Sequence, residues 1–319
     1  GVATTVQEAE PPYAFYPDMQ GDVFLGHQYS YETGQLTDAP LLMRRDQMFH
    51  TLFTADTGYG KSVAAMRMAY ETTRKWRFRT LVMEFSTGWR SLVNAPGLEG
   101  HFQLYQLSPG GAFPLRWNPL EIGRHIEPET QWRAFCDVFG GIARLGVRRQ
   151  IHDFRDVLKG VYVRAGVLVR DPDVVSDPQW GRVQNDEEPV VHRRTGTPIK
   201  ELSAPAKQKL AVHRSKNVGL KDLYRAVLEE LANLPPGDRI ARPIMEGIKA
   251  RLEPLIYGQV GQMFGSGEGT VPISDLAQPW GVCVIEGGDH LDDFSKTFLL
   301  AWFGWHAYMD AFTRMTRGL

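Results

Sequence analysis

One short stretch constrains the fold of this chain more than any other. Residues 54–63 read "TADTGYGKSV" and close an apolar run, "QMFHTLFTA" (47–55), that reads as a short buried strand. After it, "KSVAAMRMAYETTRKW" (61–76) carries helix-forming Ala and Met, with its charges toward the end. A second apolar run follows, "FRTLVMEF" (78–85). Strand, glycine-containing loop, helix and strand over 47–85 predict a βαβ unit, hence a parallel sheet covered by helices.

Gly60-Lys61-Ser62 matches the tail of the phosphate-loop pattern G-x-x-x-x-G-K-[ST]. A GKS alone is a weak signal, and chance at a helix N-terminus is the competing reading. Between a buried strand and a helix start it is a strong signal. Successive backbone N–H groups of such a loop point at phosphates, and the helix dipole favours their charge. Gly58 and Gly60 permit a sharp path that side chains would obstruct. Lys61 would contact the β- and γ-phosphates, and Ser62 would ligate Mg²⁺. The candidate cradle is Ala55, Thr57, Gly58, Tyr59, Gly60, Lys61, Ser62 and Val63. Ala55 stands where the pattern has its leading glycine, and a small residue suffices there if its φ is negative. The cofactors expected are ATP and Mg²⁺.

The rest of the chain bounds the reading. With 319 residues it is one large domain or two smaller ones. A net charge of −1 argues against a globally basic nucleic-acid binder, though it leaves room for a locally basic surface. Cys136 and Cys283 lie far apart, without metal spacing, which suits a reducing compartment. The most apolar run, 297–312, contains His306 and Asp310, and is too short to span a bilayer. It reads as a buried helix with an aromatic face. "DVFLGHQYSYETGQ" (22–35) reads as a hairpin turning at Thr33-Gly34. Residues 108–121 read as an ordered loop, 127–166 as helical, and 220–234 and 242–256 as amphipathic helices. The charged, Pro-rich segment at 168–210 reads as a surface insertion or mobile loop, and "WGVCVIEGG" (280–288) as another buried strand before a helix over 293–316. "GSGEGTV" (265–271) is Gly-rich but has no Lys, so it reads as a turn.

These pieces resemble the HerA/FtsK superfamily of motor ATPases, which includes the ATPases of conjugation and type IV secretion, over most of residues 40–316. "QMFHTLFTADTGYGKS" is similar to that family's strand and phosphate loop, "FRTLVMEFSTGWRSLV" to the next strand with its acidic end, and "FPLRWNPLEI" to its Asn-Pro-Leu turn. "NVGLKDLYRAVLEEL" looks like a segment of the helical insertion. "VPISDLAQPWGVCVIEGGDHLDDFSKTFLLAWFGWHAY" looks like the strand and long helix before the Walker B strand. The resemblance implies an α/β fold: a RecA-like P-loop NTPase core with a mostly helical insertion. The division it suggests is an N-terminal arm and hairpin over 1–45, a first part of the core over 46–120, the insertion over 121–262, and a core strand with a long helix over 263–319. It further implies a homo-hexameric ring in the cytoplasm, with no membrane span of its own and membrane association through partners. The ring would act on double-stranded DNA or a secreted substrate, beside a nuclease or secretion-complex partner.

The chain departs from the family in three places. Glu84 ends the second strand where Asp is usual, and Gly88-Trp89 stands where Gly-Glu is usual. Glu84 is then the candidate acid, against a plain strand-end carboxylate held by nearby N–H groups. The Walker B pair has two readings: Glu286 supplies its carboxylate with Asp289 nearby, or the true strand lies beyond Leu319. The usual front β-domain is represented only by a fragment, and no initiator Met opens the chain, so a partial chain is expected. Lys61, Glu84 and Glu286 are the catalytic candidates. Arg144, Arg148 and Arg149 are finger candidates, each more simply a solvated basic face. His50 reads as a core histidine, and Trp89 and Arg90 as surface packing rather than a base-stacking pair.

Overall fold

The computed structural model describes residues 21–30, 32–47, 51–54, 56–145, 148–167, 204–265, 267, 269–288 and 291–317. Its centre is a parallel sheet of β3 (Arg79–Glu84), β4 (Phe102–Leu107) and β5 (Gly281–Gly287), in the order β3-β5-β4. β5 sits in the middle, and Val282, Cys283, Val284 and Ile285 are wholly buried. A parallel strand covered on both faces has to be apolar at consecutive positions, which is why "VCVI" shows no alternation. Burial pushes the Cys283 thiol up to about 12.

The two faces are covered differently. On one, α1 (Lys61–Trp76) packs Ala65, Met66, Ala69 and Tyr70 against Val82, Val282, Val284 and Leu104. A 3-10 helix over Gly88–Asn94 adds Trp89 and Leu92 to that cluster. Trp89 is therefore a core residue, contrary to the surface packing expected, because its helix folds back beneath α1. On the other face, Leu81, Met83, Cys283 and Ile285 join a large core built mostly from helices. These are α2 (Pro128–Ile142), α3 (Arg148–Arg164), α4 (Ala204–Ser215), α5 (Leu220–Asn233), α6 (Ala241–Ile256), α7 (Gly258–Met263) and α8 (Asp293–Arg317). β5 enters the sheet between two strands that precede the helices in sequence.

The hairpin forms as expected, from β1 (Val23–Ser30) and β2 (Gln35–Met43), with Gly34 at φ 66° and its N–H donating to the Ser30 carbonyl at 2.9 Å. Val23 and Met43 pack on Met68 of α1, and the Trp76 indole donates to the Asp22 carboxylate at 2.8 Å. The Asn-Pro-Leu turn is a buried hub. Asn118 Nδ2 donates to the Val218 carbonyl at 2.8 Å, and its Oδ1 accepts from the Leu120 N–H at 3.0 Å. The Tyr162 hydroxyl and the Trp302 indole bond to the Leu120 and Pro119 carbonyls at 2.6 and 2.8 Å.

Two further expectations are corrected. The run at 47–55 is not a strand where it is described: Gln47 ends a 3-10 turn, and 51–54 has no ladder, with Leu52 85% exposed. A strand exists only where a neighbour supplies hydrogen bonds, and no described strand flanks this run. The βαβ unit is thus described only from the loop onward. The segment at 168–210 was too long for a loop: 204–215 is α4, rich in the helix formers Ala, Lys and Gln, while 168–203 lies outside the described residues. The sequence pattern also names no element over β4 or α7, where polar Gln103 and Gln106 interrupt one and glycines the other. Among the described residues, no helix is long and apolar enough to cross a membrane.

Candidate functional site

The site is built from the loop at 56–62 and the carboxyl end of the sheet. Gly58 takes φ 88°, and Gly60 takes φ 80° and ψ 16° as the residue before α1. Both lie in the left-handed region that L side chains avoid. A Cβ at either glycine would meet nothing within 4 Å. The sharp path expected of the two glycines is thus a left-handed backbone, and no neighbouring atom adds a packing reason for glycine. The Tyr59 N–H donates to the Asp56 carbonyl at 3.3 Å, and the Ala64 N–H to the Gly60 carbonyl at 2.9 Å. Together they turn the chain sharply into the helix.

The helix start suits an anion. The first turn of α1 holds no acidic residue, and its leading N–H groups have no intrahelical acceptor. Thr57, Gly58, Gly60, Ser62 and Val63 are exposed, and Tyr59 is 78% exposed. Lys61 Nζ donates to the Asp56 carbonyl at 2.8 Å, so its charge is folded back over the loop. The donor set fits a phosphate with a divalent cation: backbone N–H groups and an ammonium for the anion, and the Ser62 hydroxyl for the cation. Ala55, His50 and Asp289 lie outside the described residues.

The acidic candidates meet at the same end. α1 returns directly into β3 through Arg77 and Phe78, so it runs antiparallel to the strand. Sixteen helical residues rise about 24 Å and six strand residues about 20 Å, which brings the loop level with the carboxyl end of β3. There Glu84 pairs in register with Glu286, and Glu286 with Gln106. By alternation all three lie on the face that carries Val82, Val284 and Leu104, the face α1 covers. The carboxyl edge of a parallel sheet is where ligands of such folds bind.

The two acids are engaged differently. Glu84 Oε1 accepts from the Ser86 N–H at 3.0 Å, the plain strand-end arrangement. Glu286 is buried and accepts twice from Arg90: Nε to Oε1 at 2.7 Å and Nη2 to Oε2 at 2.6 Å. These bonds and the charge of Glu286 raise the Arg90 pKa above its ordinary value. Arg90, expected as surface packing, is instead bound to the Glu286 carboxylate, and Gln106 is a residue the sequence reading missed. No signal in a single sequence announces either contact, because parallel register joins Gln106 to Glu286 and packing of the 3-10 helix brings Arg90 to it, each across more than 170 positions. Of the finger candidates, Arg144 is exposed at φ 53° after α2, and Arg148 begins α3 with its side chain, like that of Arg149, outside the described residues.

No family model and no curated protein matches the chain. Among solved structures, the chain is similar to VirB4 of Thermoanaerobacter pseudethanolicus, with a TM-score of 0.51 and 13% identity over 93% of this chain and 64% of that one. The chain thus spans less than two thirds of the length of that structure. At this identity the likeness speaks to fold alone: a mixed α/β arrangement, helices on a parallel sheet, compatible with a P-loop ATPase.

Proposed function

We infer that this chain is the nucleotide-binding subunit of a ring-forming motor ATPase of the HerA/FtsK type. One observation carries the reading: a G-x-G-K-S turn with two left-handed glycines opens a helix at the carboxyl edge of a parallel sheet. Backbone N–H groups of 57–62 would hold the phosphates, with Lys61 leaving the Asp56 carbonyl to join them. Ser62 would hold Mg²⁺, which when bound neutralises charge on the phosphate oxygens. Of the two acids at the sheet edge, Glu84 is the carboxylate at hand for orienting a water, since both oxygens of Glu286 accept from Arg90. Phosphoryl transfer asks mostly for positioning and charge stabilisation, and this set supplies both. The likeness to VirB4 leans the reading toward the conjugation and type IV secretion branch, with a secretion-complex partner and membrane association through it. Translocation of double-stranded DNA by a cytoplasmic homo-hexamer is the other form of the same motor.

A second reading has its own observation. Both oxygens of Glu286 are taken by Arg90, which favours a subunit that binds nucleotide without turnover, as part of an assembly. The experiment is ATP hydrolysis by wild type and Lys61→Ala, with and without linear double-stranded DNA. DNA-stimulated hydrolysis lost in the variant supports a DNA motor. Lys61-dependent hydrolysis indifferent to DNA moves the reading to the secretion motor. Lys61-dependent binding without hydrolysis leaves the assembly subunit.

A further inference from the structure

Arg90 is the least expected member of this site. Its side chain is 47% exposed, while Glu286 beside it is 5% exposed. The contact is side-on: Nε and Nη2 are spent on the carboxylate, and Nη1 faces away from it. A guanidinium has a rigid fork, so fixing one edge fixes the direction of the other. Glu286 therefore acts as an anchor that aims a cationic group outward from the sheet edge. The next residue, Ser91, donates to Met66 Sδ at 3.5 Å, and Met66 lies one turn below Ser62 on α1. The 3-10 helix that carries Arg90 is thus braced against the helix that the loop opens.

A charge placed this way has two plain uses. It neutralises a buried carboxylate, or it also serves a ligand held next to it. Neutralisation alone does not need an exposed guanidinium on the nucleotide face. Resting on the phosphate-loop reading above, we propose that Arg90, aimed by Glu286, is a second phosphate-binding residue of this chain. It contacts the terminal phosphate of a nucleoside triphosphate held by the loop at 57–62. The anion's added charge lies beyond the β-phosphate, so Arg90 distinguishes triphosphate from diphosphate, while Lys61 and the loop N–H groups hold both. Glu286 is then a positioning residue, not the carboxylate that orients water.

The test is equilibrium binding of Mg²⁺-ATP and Mg²⁺-ADP to the full chain, read by calorimetry. The proteins compared are wild type, Arg90→Gln, the double variant Arg90→Gln with Glu286→Gln, and Lys61→Ala. The double variant removes both charges together, so it leaves no unpaired buried carboxylate if the single variant folds poorly. Loss of one charge-assisted contact should weaken ATP binding about tenfold while ADP binding holds, in the double variant as well. An ATP-to-ADP affinity ratio unchanged in the double variant overturns the role of Arg90 and leaves the phosphate loop standing. Wild-type binding that does not depend on Lys61 overturns the loop reading, and Arg90 falls with it.

Discussion

Gly60 holds φ 80° at the threshold of α1, with open space around it. Alanine there pays about 1–2 kcal/mol to stay left-handed. Since nothing packs on the site, the cheaper response is for the loop to relax. Gly60→Ala should leave the melting temperature within a few degrees of wild type and weaken nucleotide binding about tenfold. A calorimetric titration beside a thermal melt checks this, and unchanged affinity would count against the loop. His306 makes a different prediction. It is fully enclosed by the α8 core, and burial lowers its pKa from 6.5 to about 3. The unfolded chain therefore binds a proton that the folded one does not, between roughly pH 6.5 and 3. Stability from this residue is present above that window and is lost as pH falls through it. Glu121 lines a cavity beside His306 and works with the opposite sign, because burial raises the pKa of its carboxyl. The comparison is thus with His306→Gln, which keeps an acceptor for Gln131. Urea midpoints should fall less steeply below pH 6 in the variant than in wild type.

At the scale of elements, the long helix α8 is held by aromatic packing. Phe298 and Trp302 meet Phe135 of α2 edge-on, with centroids 5.8 and 5.3 Å apart, and the Trp302 indole also bonds to the Asn-Pro-Leu turn. Trp302→Ala removes a wholly buried ring and its hydrogen bond, and should destabilise the fold by about 3–5 kcal/mol in denaturant titration. Asn118→Ala should cost about 2–3 kcal/mol, because the Leu120 N–H and the Val218 carbonyl are left buried and unpaired. Much of this level was legible. Helix α1 begins at Lys61 and ends at Trp76, as its charges and apolar spacing indicate, and β5 and α8 fall where continuous apolar runs put them. The strand expected at 47–55 was not legible. An apolar run reports a wish to be buried, while a ladder depends on which other segment comes alongside.

At the scale of the molecule, the sheet draws β3 and β4 from one side of the helical part and β5 from the other. That closure brings Glu286 beside Glu84 and under Arg90. A ring motor of this type predicts that Mg²⁺-ATP drives subunits together. Light scattering behind size exclusion should report a species near six times 36.0 kDa with nucleotide and a smaller one without it. A monomer under both conditions would remove the ring from the reading. The sequence by itself determined what local chemistry can encode: the left-handed glycine turn and the helix it opens, the apolar strands β3 and β5, and the hairpin turn, each a matter of residues a few positions apart. Only the tertiary structure decided that Arg90 meets Glu286 and that Asn118 meets the Val218 carbonyl. Those contacts cross the sheet or the helical core, and register and packing between distant segments leave no pattern in the residues themselves.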